Sequence, residues 1–361
     1  MIYRLIRPLI YALPPEAAHR VAFFFLRFFI GFYPIRRLLQ ALSARRDPAL
    51  TVRALGIDFP SPIGLAAGLD KDAEAYESLG ALGFGFVEIG TITAEAQPGN
   101  PKPRLFRLVP DRALINRMGF NNGGAERAAR RLDRDRSAIV GVNIGKTKRA
   151  KDEDTIDDYQ RSTRLLARYA DYFVVNISSP NTPGLRLLQA IDKLDPLLRA
   201  VRQSLDAHAG RYVPLLVKIA PDLADEDVDQ IADLALHLGI DGIIATNTTI
   251  RRDGLSFTNR ELEAIGSGGL SGAPLRERSL EVLRRLRARV GEKVTLISVG
   301  GIEDGEEAFR RIKAGASLVQ IYTGYIYGGP GLPKRMEREL LEAMRREGFE
   351  SVGKAIGAGE G

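Results

Sequence analysis

Eight short apolar runs recur along the chain from residue 61 onward, and their alternation with helical stretches limits the possible folds more than any other feature. Amphipathic segments with apolar residues three and four apart separate most of the runs, as in EDVDQIADLALHLG. Strands that alternate with helices pair in parallel, and eight such units are typical of a closed barrel. We therefore predict an α/β fold, a (β/α)8 TIM barrel. The apolar runs are 61–68, 85–93, 138–145, 172–179, 214–220, 242–249, 295–302 and 318–324.

Each of the eight runs ends in polar or glycine residues. Polar residues often end a strand, but chance would place them at one or two ends rather than at all eight. Because the carboxyl ends of barrel strands meet at one rim, we predict a single shared active site there. The segments 94–137 and 250–294 leave room for additional loops or hairpins. The polar and glycine ends are Lys71, Thr91, Asn143, Asn176 with Ser179, Lys218, Asn247 with Thr248, Gly300 with Gly301, and Tyr322 with Thr323.

Glycines follow the last two runs, in SVGGI (298–302) and IYTG (321–324). In barrels the loops after strands seven and eight often bind phosphate, since glycine lets backbone N–H groups approach an anion closely. A helix predicted to begin at about Asp304 would add its positive end, and GSGGLSG (266–272) supplies more glycine. We therefore predict a phosphorylated cofactor across the barrel mouth.

Lys218 lies within the apolar run LLVKIA, where an unpaired charge is unfavourable. One interpretation is a salt bridge with a nearby acidic residue. The other is a cation placed beside an electron-rich ring that becomes anionic when reduced, as a flavin does. The sequence leaves both open.

The chain has no cysteine, which excludes disulfides, thiolate zinc sites and iron–sulfur clusters. Its three histidines, His19, His208 and His237, are far apart in the sequence and far from Ser178 and Ser179. We therefore expect no metal site and no Ser-His-Asp hydrolase. The net charge is +7, but no nucleic-acid recognition motif accompanies the basic residues, so we expect no nucleic-acid partner.

Residues 1–46 differ from the rest of the chain, and we predict that they form a separate unit before a barrel domain over 47–361. They hold nine of the 26 aromatic residues and eight arginines, with Glu16 as the one acidic residue. Pro14 and Pro15 would end a first helix and open a second. The apolar run 21–33 contains Arg27 and is shorter than the ~20 residues of a membrane-spanning helix.

Two helices lying in a membrane interface fit this segment best, because aromatic residues recur on one face among many arginines. Phe24, Phe28 and Phe32 would share one helical face, and Phe25 and Phe29 would share another. No small-residue cleavage site follows the apolar run, which argues against a signal peptide. A cap that packs internally or forms a dimer is the alternative interpretation.

Taken together, the motifs closely resemble those of the class 2, quinone-dependent dihydroorotate dehydrogenases, over nearly the whole chain. Their order and spacing are far more specific than any single glycine motif. The motifs are AAGLDK (66–71), NRMGFNN (116–122), NISSPNTPGLR (176–186), KIAPD (218–222), ATNTT (245–249), GGLSG (268–272), SVGGI (298–302) and IYTG (321–324).

The resemblance implies oxidation of dihydroorotate to orotate in pyrimidine biosynthesis, with FMN as the hydride acceptor and ubiquinone or menaquinone as the final acceptor. It implies that Ser179 is the catalytic base, and that Thr182 and Phe120 shape a water path for the proton. Related soluble classes, which use fumarate or NAD, have a cysteine base, and this chain has none. A soluble-class enzyme is the alternative, and a non-catalytic, membrane-recruited sensor is a more distant one.

The resemblance also assigns binding residues. Residues implied to hold FMN are Ala67, Gly68, Leu69, Asp70, Lys71, Thr91, Asn143, Asn176, Lys218, Thr246, Gly272, Gly301, Tyr322 and Thr323. Residues implied to bind substrate are Lys71, Asn116, Arg117, Met118, Gly119, Phe120, Asn176, Asn181, Asn247 and Thr248. The implied quinone site comprises His19, Arg107 and Tyr322, in a tunnel formed by residues 1–46. We expect a monomer attached peripherally to the cytoplasmic face of a bacterial inner membrane.

Overall fold

The structure, a computed structural model, describes residues 2–44 and 46–359. Residues 1, 45, 360 and 361, which belong to the two predicted domains, lie outside the described residues. The strands are β1 Val52–Ala54, β2 Ile57–Phe59, β3 Ile63–Leu65, β4 Phe86–Ile92, β5 Leu105–Leu108, β6 Ala113–Asn116, β7 Val140–Ile144, β8 Tyr172–Asn176, β9 Leu215–Ile219, β10 Gly242–Ala245, β11 Gly269–Gly272, β12 Thr295–Val299 and β13 Leu318–Ile321.

The helices lie mostly between these strands, as the periodicity predicts. They are α1 Ile2–Ala12, α2 Pro15–Phe25, α3 Tyr33–Ala44, α4 Tyr76–Ala81, α5 Ala125–Leu132, α6 Thr155–Leu166, α7 Ile191–His208, α8 Asp225–Leu238, α9 Asn259–Ile265, α10 Arg276–Val290, α11 Gly305–Lys313, α12 Thr323–Gly328, α13 Leu332–Arg346 and α14 Val352–Ala355.

Eight strands close into a parallel barrel, which confirms the predicted fold class. Around the barrel the order is β3, β4, β7, β8, β9, β10, β12 and β13, after which β13 pairs with β3. The strands are apolar and buried along almost their whole length because helices cover the outer face of the sheet. All eight apolar runs in the sequence therefore correspond to barrel strands.

Two glycines make room for the aromatic rings that fill the amino-terminal part of the barrel. A β-carbon on Gly64 would lie 2.2 Å from the ring of Phe86, and one on Gly141 would lie 2.1 Å from the ring of Tyr172. Phe59 of β2 packs on Phe86 with ring centres 5.1 Å apart. Any larger residue in place of either glycine would displace a ring from this close-packed layer.

The long segments between barrel strands form a second, smaller sheet. Strands β5 and β6 make a hairpin, and β11 pairs antiparallel with β6, so that Gly269 lies opposite Asn116. This sheet has its own apolar cluster, which includes Leu108, Ile115 and Leu270. The hairpin and β11 occupy the two gaps in which the sequence leaves room for additional elements. The short β1–β2 hairpin was not predicted.

The N-terminal extension contains a third α-helix that the sequence analysis did not predict. Helix α1 ends before Pro14, α2 begins at Pro15 and continues into a π-helical turn over Leu26–Ile30, and α3 follows. Pro34 lies in the first turn of α3, where backbone N–H groups have no partner within the helix. The missing N–H of proline therefore costs no hydrogen bond there. The expectation of two helices was therefore wrong, because this proline lies near the start of a helix.

Aromatic side chains cover an exposed face of the extension. The rings of Phe24 and Phe28 lie 4.8 Å apart and those of Phe25 and Phe29 lie 5.0 Å apart, so the predicted helical faces are present. These four side chains and Phe32 are each more than half exposed. No helix in the described ranges is both long and apolar enough to cross a bilayer.

Polar contacts attach the extension to the barrel. Glu16 pairs with Arg104 at 2.8 Å, and the hydroxyl of Ser78 donates to the carbonyl of Leu26 at 2.8 Å. Near the predicted domain boundary, Arg46 pairs with Glu337 of α13 at 2.8 Å. The extension is therefore held at several points, although the division at residue 46 stays a prediction.

Candidate active site

A cleft opens at the carboxyl ends of the barrel strands. Strand ends, the loops that follow them and the tip of the β6 strand form its walls, as expected for a barrel of this type. Its lining residues are Ala66, Ala67, Gly68, Lys71, Thr91, Asn116, Met118, Gly119, Phe120, Asn176, Ser179, Asn181, Lys218, Thr246, Asn247, Thr248, Ser271, Gly272, Leu275, Val299, Gly300, Gly301, Ile302, Glu303, Gln320, Ile321, Tyr322, Thr323 and Gly324.

The Ser-rich loop after β8 places Ser179 in the cleft wall. Ser179 is buried, and its hydroxyl oxygen accepts the backbone N–H of Asn181 at 3.2 Å. The neighbouring Ser178 instead orients two amides, since its hydroxyl donates to Asn176 Oδ1 at 3.0 Å and accepts from Asn247 Nδ2 at 3.0 Å. The two serines therefore have different surroundings, and Ser179 is the one that lines the cleft.

Amide side chains connect this loop to the open end of the β5–β6 hairpin, opposite its turn. Asn181 Nδ2 donates to Asn116 Oδ1 at 3.2 Å, and Asn100 Nδ2 donates to the carbonyl of Asn181 at 3.1 Å. The hairpin thus brings Asn116 to the barrel rim, although the two asparagines are 65 residues apart. Several amide groups converge on the volume next to Ser179, where they can orient a polar ring.

Lys71 lines the same cleft and lies close to the extension. Its ammonium group donates to the carbonyl of Gly68. Burial, with a smaller contribution from the nearby Arg104, lowers the pKa of Lys71 to about 8. The side chain is thus mostly charged at neutral pH, and it can attract an anionic ligand.

Lys218 of β9 also lines the cleft, and its ammonium group lies 4.0 Å from the carboxylate of Glu88. Glu88 is fully buried inside the barrel. Burial lowers the pKa of Lys218, and the charge of Glu88 opposes that effect. The two interpretations that the sequence leaves open are therefore compatible, because a lysine at the cleft floor can also have a carboxylate partner.

The glycines after β12 form the far end of the cleft. Gly300 and Gly301 adopt φ angles of 122° and 72°, and a β-carbon on Gly301 would lie 2.4 Å from Cα of Arg276. The fully buried Arg311 donates to the carbonyl of Gly300 at 3.1 Å and thus holds the loop from below. A side chain at Gly301 would clash with the start of α10, so this backbone has to be glycine.

The helix after this loop does not offer its positive end to the cleft. Helix α11 begins at Gly305, close to the predicted position, but Asp304 accepts the N–H of Glu307 at 2.8 Å and Glu339 accepts that of Gly305 at 2.8 Å. The expected contribution of this helix to anion binding is therefore wrong, because carboxylates already use its first N–H groups. Instead, Thr323 and Gly324 at the start of α12 line the cleft.

The cleft fits a flavin mononucleotide in its donors and unpaired polar atoms. Among the described residues, the buried Thr248 Oγ1 and Gln320 Oε1 have no hydrogen-bond partner, and both residues line the cleft. Glycine backbone borders the end that would receive a phosphate, and Lys218 lies at the floor.

Most residues implied to bind FMN or substrate line the cleft, and four do not. Leu69 and Asp70 are buried behind it, and the carboxylate of Asp70 accepts the N–H groups of Glu74 and Ala75. Asn143 is fully buried and reaches the cleft only through Thr91, whose hydroxyl donates to it at 2.6 Å.

Arg117 is the fourth residue outside the lining. Its guanidinium group donates to the carbonyls of Ile265 and Ser267 and lies over the ring of Phe106. The side chain therefore joins the hairpin to the loop before β11 rather than reaching the cleft.

The three residues of the implied quinone site do not share one wall. Tyr322 lines the cleft, whereas His19 and Arg107 lie outside its lining, on α2 and β5. Arg107 donates to the carbonyl of Leu13 at 3.0 Å and lies over the ring of Tyr11. Burial, together with the charge of Lys71, lowers the pKa of His19 to about 3, so its imidazole is neutral near pH 7.

Sequence reasoning missed several lining residues and the carboxylate inside the barrel. Glu303 lines the cleft and pairs with Arg112 at 3.0 Å. Alternation along β4 would have placed Glu88 inside the barrel, but no motif contains it. The lining residues not predicted individually are Ala66, Ser271, Leu275, Val299, Ile302, Glu303, Gln320, Ile321 and Gly324.

Comparisons with known proteins agree with the resemblance. A family model described as dihydroorotate dehydrogenase matches residues 49–344. A dihydroorotate dehydrogenase (quinone) from Thermobifida fusca is 57% identical over 99% of this chain and 96% of its own length. The protein of the same description from Mycobacterium tuberculosis is 53% identical over 99% of this chain and 98% of its own length.

A solved structure supports the fold. The crystal structure of dihydroorotate dehydrogenase from Eimeria tenella in complex with ferulenol superposes with a TM-score of 0.82 at 41% sequence identity. The match covers 90% of this chain and 94% of that chain, so it extends well beyond the eight barrel strands.

Proposed function

The chain belongs to the quinone-dependent dihydroorotate dehydrogenases, and from this premise we propose how its residues bind the reactants and move the proton. The reaction is the oxidation of dihydroorotate to orotate, with a quinone as the electron acceptor, in pyrimidine biosynthesis. The relatives from Thermobifida fusca and Mycobacterium tuberculosis are both described as dihydroorotate dehydrogenase (quinone), which names a quinone as the electron acceptor. A fumarate- or NAD-dependent enzyme is therefore not favoured.

FMN is the cofactor that the cleft fits. When bound, FMN supplies the acceptor for the hydride of the substrate and passes the electrons on to the quinone. The backbone of Gly301 and the start of α12 would hold its phosphate, and Thr246, Gly272 and Lys218 would border the ring. Support comes from the donor set and from glycines that no larger residue can replace.

Ser179 would remove the proton from the substrate ring carbon next to the carbon that gives up the hydride. A serine hydroxyl is a weak base, so the proton needs a path away from the cleft. Phe120 lines the cleft beside this loop, with a positive φ of 53°, and Thr182 is buried three residues beyond Ser179. Both lie where they could border a water path.

Lys71 and the amides would orient the substrate. Dihydroorotate carries a carboxylate, which the ammonium group of Lys71 can pair with. Asn116 and Asn181 are already hydrogen-bonded to each other at 3.2 Å, and Asn247 is held by Ser178. The single observation that carries the proposal is that these donors surround Ser179 in one cleft. Fixed donors reduce the entropy lost when the reactants are aligned.

The extension would deliver the quinone from a membrane. Its exposed aromatic face suits a lipid interface, and it is attached to the hairpin that borders the cleft. His19, Arg107 and Tyr322 would border the path of the quinone. We place the protein on the cytoplasmic face of a bacterial inner membrane, attached peripherally as a monomer.

The test is a two-step reaction on the purified holoenzyme without oxygen. We expect a yellow protein whose flavin absorbance is bleached by dihydroorotate and restored by a ubiquinone analogue. Fumarate and NAD, each added in place of the quinone, serve as controls and should leave the flavin reduced. A colourless protein that takes up no FMN, or a flavin that dihydroorotate does not reduce, would contradict the proposal.

A further inference from the structure

Glu88 is a buried carboxylate for which the proposed function has no use. It lies on β4, is fully buried and is not part of the cleft lining. Carboxylates rarely occupy such positions unless charge and hydrogen bonds compensate for the lost hydration. The groups that surround it therefore indicate why the barrel contains it.

Four residues from four other strands converge on this carboxylate. Asn143 Nδ2 donates to it at 2.8 Å and Gln320 Nε2 at 2.6 Å, while the hydroxyl of Tyr172 lies at 3.3 Å. The ammonium group of Lys218 lies at 4.0 Å. Each of these four side chains can donate a hydrogen bond, whereas an ionised carboxylate can only accept. The donor and acceptor roles around Glu88 are therefore fixed.

The roles fixed at Glu88 also determine which group donates and which accepts along a chain of hydrogen bonds that leads toward the cleft. Because Asn143 gives its NH2 group to the carboxylate, its Oδ1 is left to accept the hydroxyl of Thr91 at 2.6 Å. The oxygen of Thr91 then accepts Asn176 Nδ2 at 2.8 Å. Asn176 Oδ1 in turn accepts Asn247 Nδ2 at 3.3 Å. One acceptor inside the barrel thus orients the Asn143 amide and the Thr91 hydroxyl, whereas Asn176 Oδ1 and Asn247 Oδ1 also accept the backbone N–H groups of Ser178 at 3.2 Å and of Thr248 at 2.7 Å.

The carboxylate also pairs with Lys218, a charged residue that lines the cleft. Lys218 is in the lining and Glu88 is not, so the ammonium group is the member of this pair that can face a ligand. With the carboxylate present the pair is neutral overall. Without it, the floor of the cleft would carry a net positive charge whenever Lys218 is protonated.

We propose that Glu88 is a positioning residue of this enzyme: its carboxylate balances the positive charge of Lys218 at the cleft floor and fixes the orientation of Asn143 and of the Thr91 hydroxyl. This inference rests on the proposed binding of FMN in the cleft. Glu88 touches no ligand and acts through Lys218 and the amide chain. Its replacement should therefore change the reduction potential of the cofactor as well as stability.

The first test measures the midpoint potential of bound FMN from pH 6 to pH 9 in the holoenzyme and in Glu88→Gln. At pH 6 the unbalanced charge of Lys218 favours the reduced, negatively charged flavin. We expect the midpoint potential of Glu88→Gln to be more positive by at least about 30 mV, which corresponds to a tenfold change in the equilibrium constant of the two-electron reduction.

Tyr172→Phe is the matched control, because it removes a hydrogen bond to the same carboxylate without changing its charge. Its potential should follow that of the wild type, and Glu88→Asp should restore most of the wild-type value. Equal potentials in Glu88→Gln and the wild type at every pH would overturn the proposal. So would a shift of the same size in Tyr172→Phe.

A second measurement does not need the flavin. Lys218→Met leaves the carboxylate buried without its cation and should lower the melting temperature, and adding Glu88→Gln should recover part of that loss. Melting shifts that simply add would show that the two residues act separately, and would overturn the proposal. A protein that takes up no FMN would instead contradict the proposed function, and the melting experiment would still decide the role of Glu88.

Discussion

The hydroxyl oxygen of Ser179 accepts a backbone N–H, and within the described ranges no protein group accepts its proton. The hydroxyl is therefore free to exchange that proton with water. Among the described residues, no histidine lines the cleft beside this hydroxyl, in contrast to the active sites of serine hydrolases. The loop after β8 positions and orients the Ser179 hydroxyl but does not activate it. To act as a base, the hydroxyl has to pass its proton to the surrounding water.

We expect Ser179→Ala to slow flavin reduction by dihydroorotate by about 10²- to 10⁴-fold, the usual contribution of a general base. The wild-type rate should rise with pH as the serine becomes a better base, and the alanine variant should lack this rise. Rapid mixing without oxygen measures both rates. Ser256→Ala, on an exposed loop outside the cleft, is the matched control and should react at the wild-type rate. Near-normal reduction in Ser179→Ala would rule this role out.

Lys71 should respond to pH in the opposite sense. Its pKa is lowered to about 8, so its proton is lost as the pH rises through that value and the positive charge disappears. We expect the KM for dihydroorotate to rise about fivefold between pH 8 and pH 9. Steady-state kinetics with Lys71→Met should show a high KM that does not change over this range. A flat KM in the wild type would contradict the assignment.

At the scale of single elements, α11 and the loop before it depend on one buried arginine. Arg311 pairs with Glu307 at 2.6 Å and donates to the carbonyls of Gly300 and Arg276. It therefore connects a helix, the glycine loop and the start of α10. Removing one member of a buried ion pair leaves the other charge without compensation.

We expect Arg311→Met to lower the free energy of unfolding by about 3–5 kcal/mol. Arg289→Met is the matched control: it breaks the pair with Asp233, in which both side chains are about half exposed, and should change stability by less than about 1 kcal/mol. Denaturant unfolding of both variants gives the comparison. Equal losses in the two would show that burial of Arg311 does not matter.

The barrel elements were predictable because each strand and helix carries its own periodicity. The β5–β6 hairpin and β11 were not predicted as strands, since their pairing joins Asn116 to Gly269 over a long separation in sequence. Glu88 was missed for a related reason. Its partners come from four other strands, and a single acidic residue in an apolar run gives no motif. Contacts that exist only after the barrel closes leave little trace in local sequence.

At the scale of the whole molecule, the extension presents a broad exposed aromatic surface. We expect vesicles with anionic lipids to bind the protein, and Phe24→Ser with Phe28→Ser to weaken that binding by at least about tenfold, since both rings would lose apolar burial. Tyr212→Ser is the matched control, because Tyr212 is just as exposed but lies before β9. Co-sedimentation measures binding, and equal weakening in the control would exclude a specific lipid face.

A dimer formed through the same aromatic face is the competing interpretation. Analytical ultracentrifugation distinguishes the two, because the proposed monomer should keep the mass of one chain at all concentrations. A dimer that the two serine substitutions dissociate would favour the alternative.

The β5–β6 hairpin has two attachments. Arg104 and Arg107 hold the extension, while Asn116 and the residues after it form a wall of the cleft. A displacement of the helices on a lipid surface would therefore also move a wall of the ligand site. By thermodynamic reciprocity, the factor by which vesicles alter the affinity for orotate equals the factor by which orotate alters the affinity for vesicles.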